Sequence, residues 1–164
     1  NYRNVVPQKL ASAASLLESA SSLYNLGLMY ANGTEVAKDE KEAVKFFKLA
    51  AEQGFAMAQF ALGVMYANGR GVNKRFGEAV KWYRLAAEQG DAAAQSNLGA
   101  MYANGEGVLK DDVYAYLWSN IAAASGNEVA KSVNDILVKR MTPQDISKAQ
   151  DLARECVKKN YKDC

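Results

Sequence analysis

The chain of 164 residues contains no histidine, and its two cysteines both lie within the last nine positions. Without histidine, the common serine and cysteine nucleophile triads and the mixed cysteine–histidine zinc sites cannot be assembled. We therefore expect a protein that is not an enzyme and that has no metal site and no cofactor.

Two acidic pairs, Asp39–Glu40 and Asp111–Asp112, remain as candidates for acid–base chemistry. Such pairs act in catalysis when their pKa values are pushed apart. Both pairs fall at the predicted start of a helix, however, where carboxylates interact favourably with the helix dipole. We interpret them as capping residues rather than catalytic groups.

The sequence also lacks a long apolar run and an excess of one charge. No stretch approaches the roughly 18 apolar residues of a membrane-spanning helix. The 20 basic and 18 acidic residues are interspersed, without the basic stripe of a nucleic-acid-binding surface. We expect no membrane insertion and no nucleic-acid partner.

What the chain does contain is a repeat. The pentapeptide Met-Tyr-Ala-Asn-Gly occurs at Met29–Gly33, Met65–Gly69 and Met101–Gly105, each copy 36 residues after the last. A fixed period of this size is typical of stacked supersecondary units. The other positions that keep the register include Ala20/Ala56/Ala92, Leu26/Leu62/Leu98, Val36/Val72/Val108 and Gly54/Gly90/Gly126.

Each unit contains two segments with apolar residues at helical spacing. The first runs from Ala20 to Asn32 and ends at Gly33, and the second is marked by Ala43 and Ala50 with Phe46 and Phe47 between them. The pattern predicts an antiparallel helix pair in each of the units 20–55, 56–91 and 92–127.

A glycine lies inside the first helix of every unit, at Gly27, Gly63 and Gly99. Glycine in a helix interior costs about 1 kcal/mol relative to alanine. We therefore predict that the partner helix approaches the backbone closely at these positions.

The ends of the chain resemble incomplete units, as the ends of a stacked array require. We predict a capping helix over residues 5–19, and capping helices with a short tail over residues 128–164. Thr142 is the expected N-cap of the last helix and Pro143 its first residue. Residues 1–164 then form a single α-solenoid domain.

The pattern Ala-x-x-x-Leu-Gly-x-Met-Tyr-x-x-Gly-x-Gly-Val, followed by Ala-Val-Lys-Trp-Tyr-Arg-x-Ala-Ala-Glu-Gln-Gly, covers residues 20–126. It closely resembles the Sel-one-like repeat (SLR) family of the tetratricopeptide superfamily. The resemblance implies an all-α, right-handed α-solenoid of antiparallel helix pairs. It also implies a bacterial adaptor or scaffold that binds a protein or peptide partner on its concave face, and we expect a monomer.

A cysteine-rich branch of the same family supplies an alternative function, β-lactam or peptidoglycan-related binding or weak hydrolysis. Its hallmark is a cysteine pair in each repeat. Residues 20–126 contain no cysteine, which makes that branch a poor match.

In the tetratricopeptide architecture, the stripe next to the core of each first helix lines the concave groove. The alternative is that these side chains fill the inner curve of the array or pack against the next first helix. For the asparagines among them, helix ends are the favoured alternative to partner binding. The predicted partner-binding residues are Tyr24, Leu28, Asn32, Met57, Phe60, Val64, Asn68, Ser96 and Asn104.

The two cysteines leave a choice. A continuous helix would hold Cys156 and Cys164 about 12 Å apart, beyond the limit of about 7 Å for a disulfide. A reversal at Asn160, a residue that tolerates the left-handed conformation, would bring them together. We favour a disulfide over a buried Cys156 with a free Cys164. We accordingly expect a periplasmic or secreted bacterial protein, with a cytoplasmic location as the alternative.

Two positions depart from the repeat. Glu35 stands where the other copies have Gly71 and Gly107, so a shared loop with positive φ would strain it. Gly77 lies near the start of a second helix, where no turn is visible. We expect Glu35→Gly and Gly77→Ala to stabilise the fold.

Overall fold

The computed structural model describes residues 19–164, and that part of the chain is all-α, with no strand. The predicted capping helix over residues 5–19 lies outside the described residues except for Ser19. The helices are α1 (Ala20–Asn32), α2 (Glu40–Glu52), α3 (Ala56–Asn68), α4 (Phe76–Ala87), α5 (Ala92–Asn104), α6 (Asp112–Ala124), α7 (Glu128–Leu137) and α8 (Pro143–Lys158).

The pentapeptide marks the end of a first helix in every repeat. Gly33, Gly69 and Gly105 follow α1, α3 and α5 with φ values of 71°, 67° and 71°. Each of these glycines donates its backbone N–H to the carbonyl of the methionine four residues earlier. Because a left-handed residue is needed to close the helix in this way, glycine recurs at the position.

The chain divides into two compact units, Asn1–Arg75 and Phe76–Cys164. In the described part of the first unit, α2 packs against both α1 and α3. The ring of Tyr30 stacks on that of Phe46, with centroids 5.6 Å apart. A Cβ atom on Gly27 would lie 2.6 Å from the ring of Phe47, which confirms the predicted close approach.

The second unit is organised around α6, which packs against α5, α7 and α8. A Cβ atom on Gly99 would lie 3.0 Å from the carbonyl oxygen of Ala115 and 3.1 Å from the nitrogen of Ser119. The close approach is therefore confirmed here as well. Leu137 of α7 and Ala149 of α8 join Ala115 in one buried cluster, so the two C-terminal helices cover α6.

Two buried glutamines tie successive helices together. The side-chain amide of Gln59 in α3 donates to the carbonyl of Ala51 in α2, and that of Gln95 in α5 donates to Ala87 in α4. Carbonyls in the last turn of a helix have no partner within the helix. The backbone N–H groups of Gly54 and Gly90 also donate to these two carbonyls, so each glutamine adds a second hydrogen bond where a helix ends.

The last helix begins as predicted, with Thr142 accepting a hydrogen bond from the backbone of Asp145 and Pro143 in the first helical position. After Lys158 the chain reverses through Asn160, whose φ of 55° confirms its left-handed conformation. Tyr161 and Asp163 also have positive φ, which the sequence did not suggest. The reversal brings Cys156 and Cys164 to a Cα separation of 5.4 Å, where they form a disulfide.

Candidate functional site

The first helices of the three repeats contain no charged residue. The sequences of α1, α3 and α5 lack aspartate, glutamate, lysine and arginine throughout, whereas α2 alone contains six charged residues. A helix without charges that also presents apolar side chains to water is unusual for a solvated surface. The first helices are therefore the elements on which to look for a binding surface.

In the first unit, the predicted stripe is partly open to solvent. Met57 of α3 is 51% exposed, and Leu28, Phe60 and Val64 are partly exposed. We call Leu28, Met57, Phe60 and Val64 the uncharged patch. Because Leu28 and Val64 occupy the same position in successive repeats, the same turn of α1 and α3 presents an aliphatic side chain.

Asparagines stand at the ends of these helices. Asn32 and Asn68 are exposed, as is Asn104 in the second unit. The amide nitrogen of Asn68 donates to the carbonyl of Val64, 3.0 Å away, as expected for a residue that ends a helix. Its amide oxygen remains able to accept a hydrogen bond from a partner.

Tyr24 differs from the expectation that its side chain lines an open groove. Its ring lies 5.7 Å from that of Phe47 in α2 and 5.4 Å from that of Phe55, before α3. The side chain is half-buried and belongs to the packing between α1, α2 and α3. Helical spacing did not reveal this contact because Phe55 lies outside both helices of its own repeat.

In the second unit, Ser96 is only 3% exposed, so its side chain does not reach the surface and its inclusion needs correction. The stripe instead continues onto α7, where Val129 and Ile136 are 67% and 60% exposed. These residues lie 36 positions after Ala93 and Ala100, so the repeat period itself could have found them. Asn134–Asp135 obscured the register by replacing the Leu-Gly pair of the other first helices.

The first carboxylate of each acidic pair caps a helix, as the sequence suggests. Asp39 accepts hydrogen bonds from the backbone of Lys41 and Glu42, and Asp111 accepts them from Val113 and Tyr114. Their side-chain oxygens satisfy backbone donors that a helix start leaves open.

The second carboxylate of each pair forms an ion pair. Glu40 lies 2.8 Å from the guanidinium of Arg70, and the hydrogen bond from Arg70 lowers the pKa of Glu40. Asp112 lies 2.5 Å from the guanidinium of Arg140.

Residues 19–164 contain no group of three or more histidine, cysteine, aspartate or glutamate side chains placed to hold a metal ion. In the same range, no helix combines the length and the apolar character needed to span a membrane.

Comparison with known proteins places these features in a family. The sequence profile of the Sel1 repeat, the repeat of the SLR family, matches residues 20–55, 56–91 and 92–127. A comparison with curated proteins gives no match.

The solved structures that are similar to this chain include two repeat proteins. One is a protective antigen present in uropathogenic Escherichia coli strains that displays an SLR fold. It has a TM-score of 0.82 and 32% identity over 92% of this chain and 33% of its own, so this chain spans a third of its length. The other is a Sel1 repeat protein from Oxalobacter formigenes, with a TM-score of 0.69 and 41% identity over 78% of this chain and 96% of its own. The three matched repeats and the shared fold show that the chain belongs to the Sel1 repeat family.

Proposed function

We propose that the protein is a non-enzymatic adaptor that binds a protein or peptide partner through the exposed stripe on the first helices α1 and α3. Proteins built from Sel1 repeats are generally protein-interaction scaffolds. The observation that carries the proposal for this chain is the absence of charge from α1, α3 and α5, combined with the exposure of apolar side chains such as Met57. Solvated helices that bind nothing ordinarily carry charged residues on their outer face.

The chemistry of the uncharged patch favours an uncharged, apolar partner segment. A charged side chain docked on this patch would lose water without gaining a counter-charge, which is costly. An aliphatic or aromatic side chain would instead bury apolar area at about 25 cal/mol per Å². Asn32 and Asn68 add amide groups that can pair with the backbone of an extended segment.

The test uses a matched pair of variants in the first unit. Met57 and Leu49 are 51% and 48% exposed, but Met57 lies on uncharged α3 and Leu49 on charged α2. A partner is first captured by cross-linking in the native organism, and its affinity for each folded variant is then measured by calorimetry. We expect Met57→Ala to weaken binding and Leu49→Ala to leave it unchanged. Equal effects, or no effect of Met57→Ala and Phe60→Ala together, would contradict the proposed surface.

Phe60 is the residue from which we expect the largest single loss. Aromatic anchors near the centre of an interface commonly contribute about 2 kcal/mol or more when truncated to alanine. Tyr24→Ala is the less informative variant, because loss of its contacts with Phe47 and Phe55 would also destabilise the fold.

Binding to the uncharged patch should in addition change little between low and high salt, since no exposed ion pair contributes.

We further propose a periplasmic or secreted location. Disulfides persist in oxidising compartments and are rare in the cytosol, and Cys156 and Cys164 are bonded here. One similar structure is that of a protective antigen of a pathogen. Titration of thiols in denatured, unreduced protein from its native compartment tests the proposal, and two free thiols would favour the cytoplasm.

An enzymatic role has less support. The cysteine pairs of the β-lactam-related branch are missing from residues 20–126, and the family is typically a non-enzymatic scaffold. Turnover of a chromogenic β-lactam by the pure protein, absent after heating, would nevertheless overturn the adaptor proposal.

A further inference from the structure

A cluster of Arg84, Tyr102 and Tyr114 in the second unit has a chemistry opposite to that of the uncharged patch. One guanidinium nitrogen of Arg84 in α4 donates to the hydroxyl of Tyr102 in α5, 2.6 Å away. The guanidinium carbon also lies 5.9 Å from the centre of the Tyr102 ring. The ring of Tyr102 in turn stacks on that of Tyr114 in α6, with centroids 5.4 Å apart.

Arg84 carries a positive charge that no carboxylate in the described part of the chain neutralises. Within residues 19–164, no aspartate or glutamate oxygen lies within ion-pair distance of its guanidinium, although Glu88 follows four positions later. One repeat earlier, the equivalent Lys48 does pair with Glu52. Arg84 therefore turns towards Tyr102, and the half-buried guanidinium keeps most of its five N–H donors available.

A small cavity adjoins the same cluster. Tyr114 forms part of its wall, together with Leu117, Leu152 and the disulfide of Cys156, and its volume is about 110 Å³. That volume suits one aliphatic side chain. Glu155, Lys159 and Asp163 stand at the wall as well, so two of its three charged neighbours are acidic.

We propose that this cluster and cavity form a second docking site, which binds an extended peptide segment with an acidic residue at Arg84 and an aliphatic residue in the cavity. Arginine pairs with a carboxylate through two parallel hydrogen bonds, and a guanidinium already fixed by Tyr102 loses little freedom on binding. The acidic end belongs at Arg84 because Glu155 and Asp163 would repel a carboxylate at the cavity.

The spacing of the two features sets the peptide pattern. Each of the two steps from Arg84 through Tyr102 to Tyr114 is shorter than 6 Å. The guanidinium of Arg84 therefore lies less than about 12 Å from the ring of Tyr114. Side chains on one face of an extended peptide are two residues, or about 7 Å, apart, and their own length covers the remaining distance. The site therefore fits an acidic residue and an aliphatic residue separated by one other. This site is independent of the uncharged patch and requires no partner to be identified.

The experiment measures binding of three synthetic hexapeptides by isothermal titration calorimetry. The probe is Gly-Ser-Glu-Ala-Leu-Gly, acetylated and amidated so that its only charge is the glutamate. In the first comparison peptide glutamine replaces the glutamate, and in the second glycine replaces the leucine. We expect each replacement to weaken binding by about tenfold, the change that 1.4 kcal/mol of lost interaction produces.

Protein variants distinguish a specific ion pair between Arg84 and the peptide glutamate from a general attraction to positive charge. Arg84→Gln should lose about tenfold in affinity for the glutamate probe but not for the glutamine peptide. Arg84→Lys should recover only part of that loss, because lysine lacks the planar fork. Lys81→Gln removes the same charge from the exposed face of α4 and should change affinity less than about twofold.

Circular dichroism of each variant confirms that it is folded. Failure of the glutamate probe to bind the wild-type protein would overturn the proposal. Equal binding of the glutamate and glutamine peptides would also overturn it, as would equal losses in Arg84→Gln and Lys81→Gln.

Discussion

The loops that follow α1 and α5 share a backbone conformation but differ in sequence. The third loop residue is Glu35 in one and Gly107 in the other, with φ values of 64° and 71°. A Cβ atom on Gly107 would lie 2.4 Å from the backbone carbonyl of Phe76, at the start of α4. Gly107 is therefore needed both for its left-handed conformation and for a close contact, whereas for Glu35 the structure shows only the first requirement.

The loop after α3 supports the same distinction. Gly71 has a φ of 68°, and its Cβ atom would lie 2.2 Å from the carbonyl oxygen of Glu40 at the start of α2. Two of the three loops thus rest against the start of the second helix in the preceding repeat. Glycine at this repeat position can therefore be required for its positive φ, for a close backbone contact, or for both. Substitutions in different loops test the two requirements separately.

The largest expected effect is that of Gly107→Ala. The variant adds left-handed strain, about 1 to 3 kcal/mol, to a clash with Phe76 that neither backbone can easily relieve, typically another 1 to 3 kcal/mol. We expect a loss of about 3 kcal/mol or more in the free energy of unfolding, measured by urea denaturation.

Gly77→Ala is the matched control for Gly107→Ala, because Gly77 lies in the helix that Gly107 contacts. A Cβ atom on Gly77 meets no atom within 4 Å, and its φ is not positive. This variant should therefore stabilise the protein by up to about 1 kcal/mol. If Gly107→Ala lowered the free energy of unfolding by no more than a typical substitution at an exposed helix position does, the result would contradict the prediction. It would show that the loop had moved to a new conformation.

The comparison also shows what could be predicted from the sequence. The period of 36 residues places every helix of the three repeats, because apolar spacing and the terminal glycines are local signals. The close approach at Gly27 was predictable for a related reason, since an interior helix glycine needs a compensating contact.

The surface was harder to predict. Helical spacing puts Tyr24 and Ser96 on the predicted binding face of their helices. It does not show which neighbouring segments cover that face. The sequence did not single out Arg84, because its partner Tyr102 and the ring of Tyr114 that stacks on Tyr102 come from two other helices. These features depend on contacts between helices, which a single repeat unit does not encode.

The second prediction concerns the turn after the last helix. Here non-glycine residues have positive φ, and a disulfide closes the turn. Asn160, Tyr161 and Asp163 adopt left-handed conformations beside the disulfide of Cys156 and Cys164. Cross-linking a loop of this length lowers the entropy of the unfolded chain enough to contribute about 2.5 kcal/mol. Cys164→Ser should lower the free energy of unfolding by a similar amount, measured by urea denaturation without reductant.

Addition of reductant to the wild-type protein is the control, and it should reproduce most of the loss. Reductant should leave the stability of Cys164→Ser unchanged. An equally stable Cys164→Ser variant would mean that the turn is held by its hydrogen bonds, such as that from the Tyr161 backbone to Cys156.

The third prediction tests directly whether the positive φ of Glu35 strains its loop. Glu35→Gly removes the left-handed strain, and it adds freedom to the unfolded chain, which partly offsets the gain. We expect a net stabilisation of about 0.5 to 1 kcal/mol, seen as a higher urea midpoint at unchanged slope. Thr34→Gly, one residue earlier and without positive φ, should instead destabilise. A lower midpoint for Glu35→Gly would show that the side chain of Glu35 contributes more than its backbone costs.

The smallest expected effect separates the loop after α3 from the other two. Arg70 in that loop pairs with Glu40, whereas the equivalent positions hold Thr34 and Glu106. The hydrogen bond from Arg70 lowers the pKa of Glu40 in the folded protein. A carboxyl group with a lowered folded pKa stabilises the fold above its unfolded pKa, about 4.3, and this contribution disappears as the pH falls through the folded pKa.

The urea midpoint of Arg70→Ala should therefore fall less steeply on acidification below about pH 5 than that of the wild type. In a Glu40→Gln background, Arg70→Ala should not alter the pH dependence, and an alteration there would assign the effect to another acidic group.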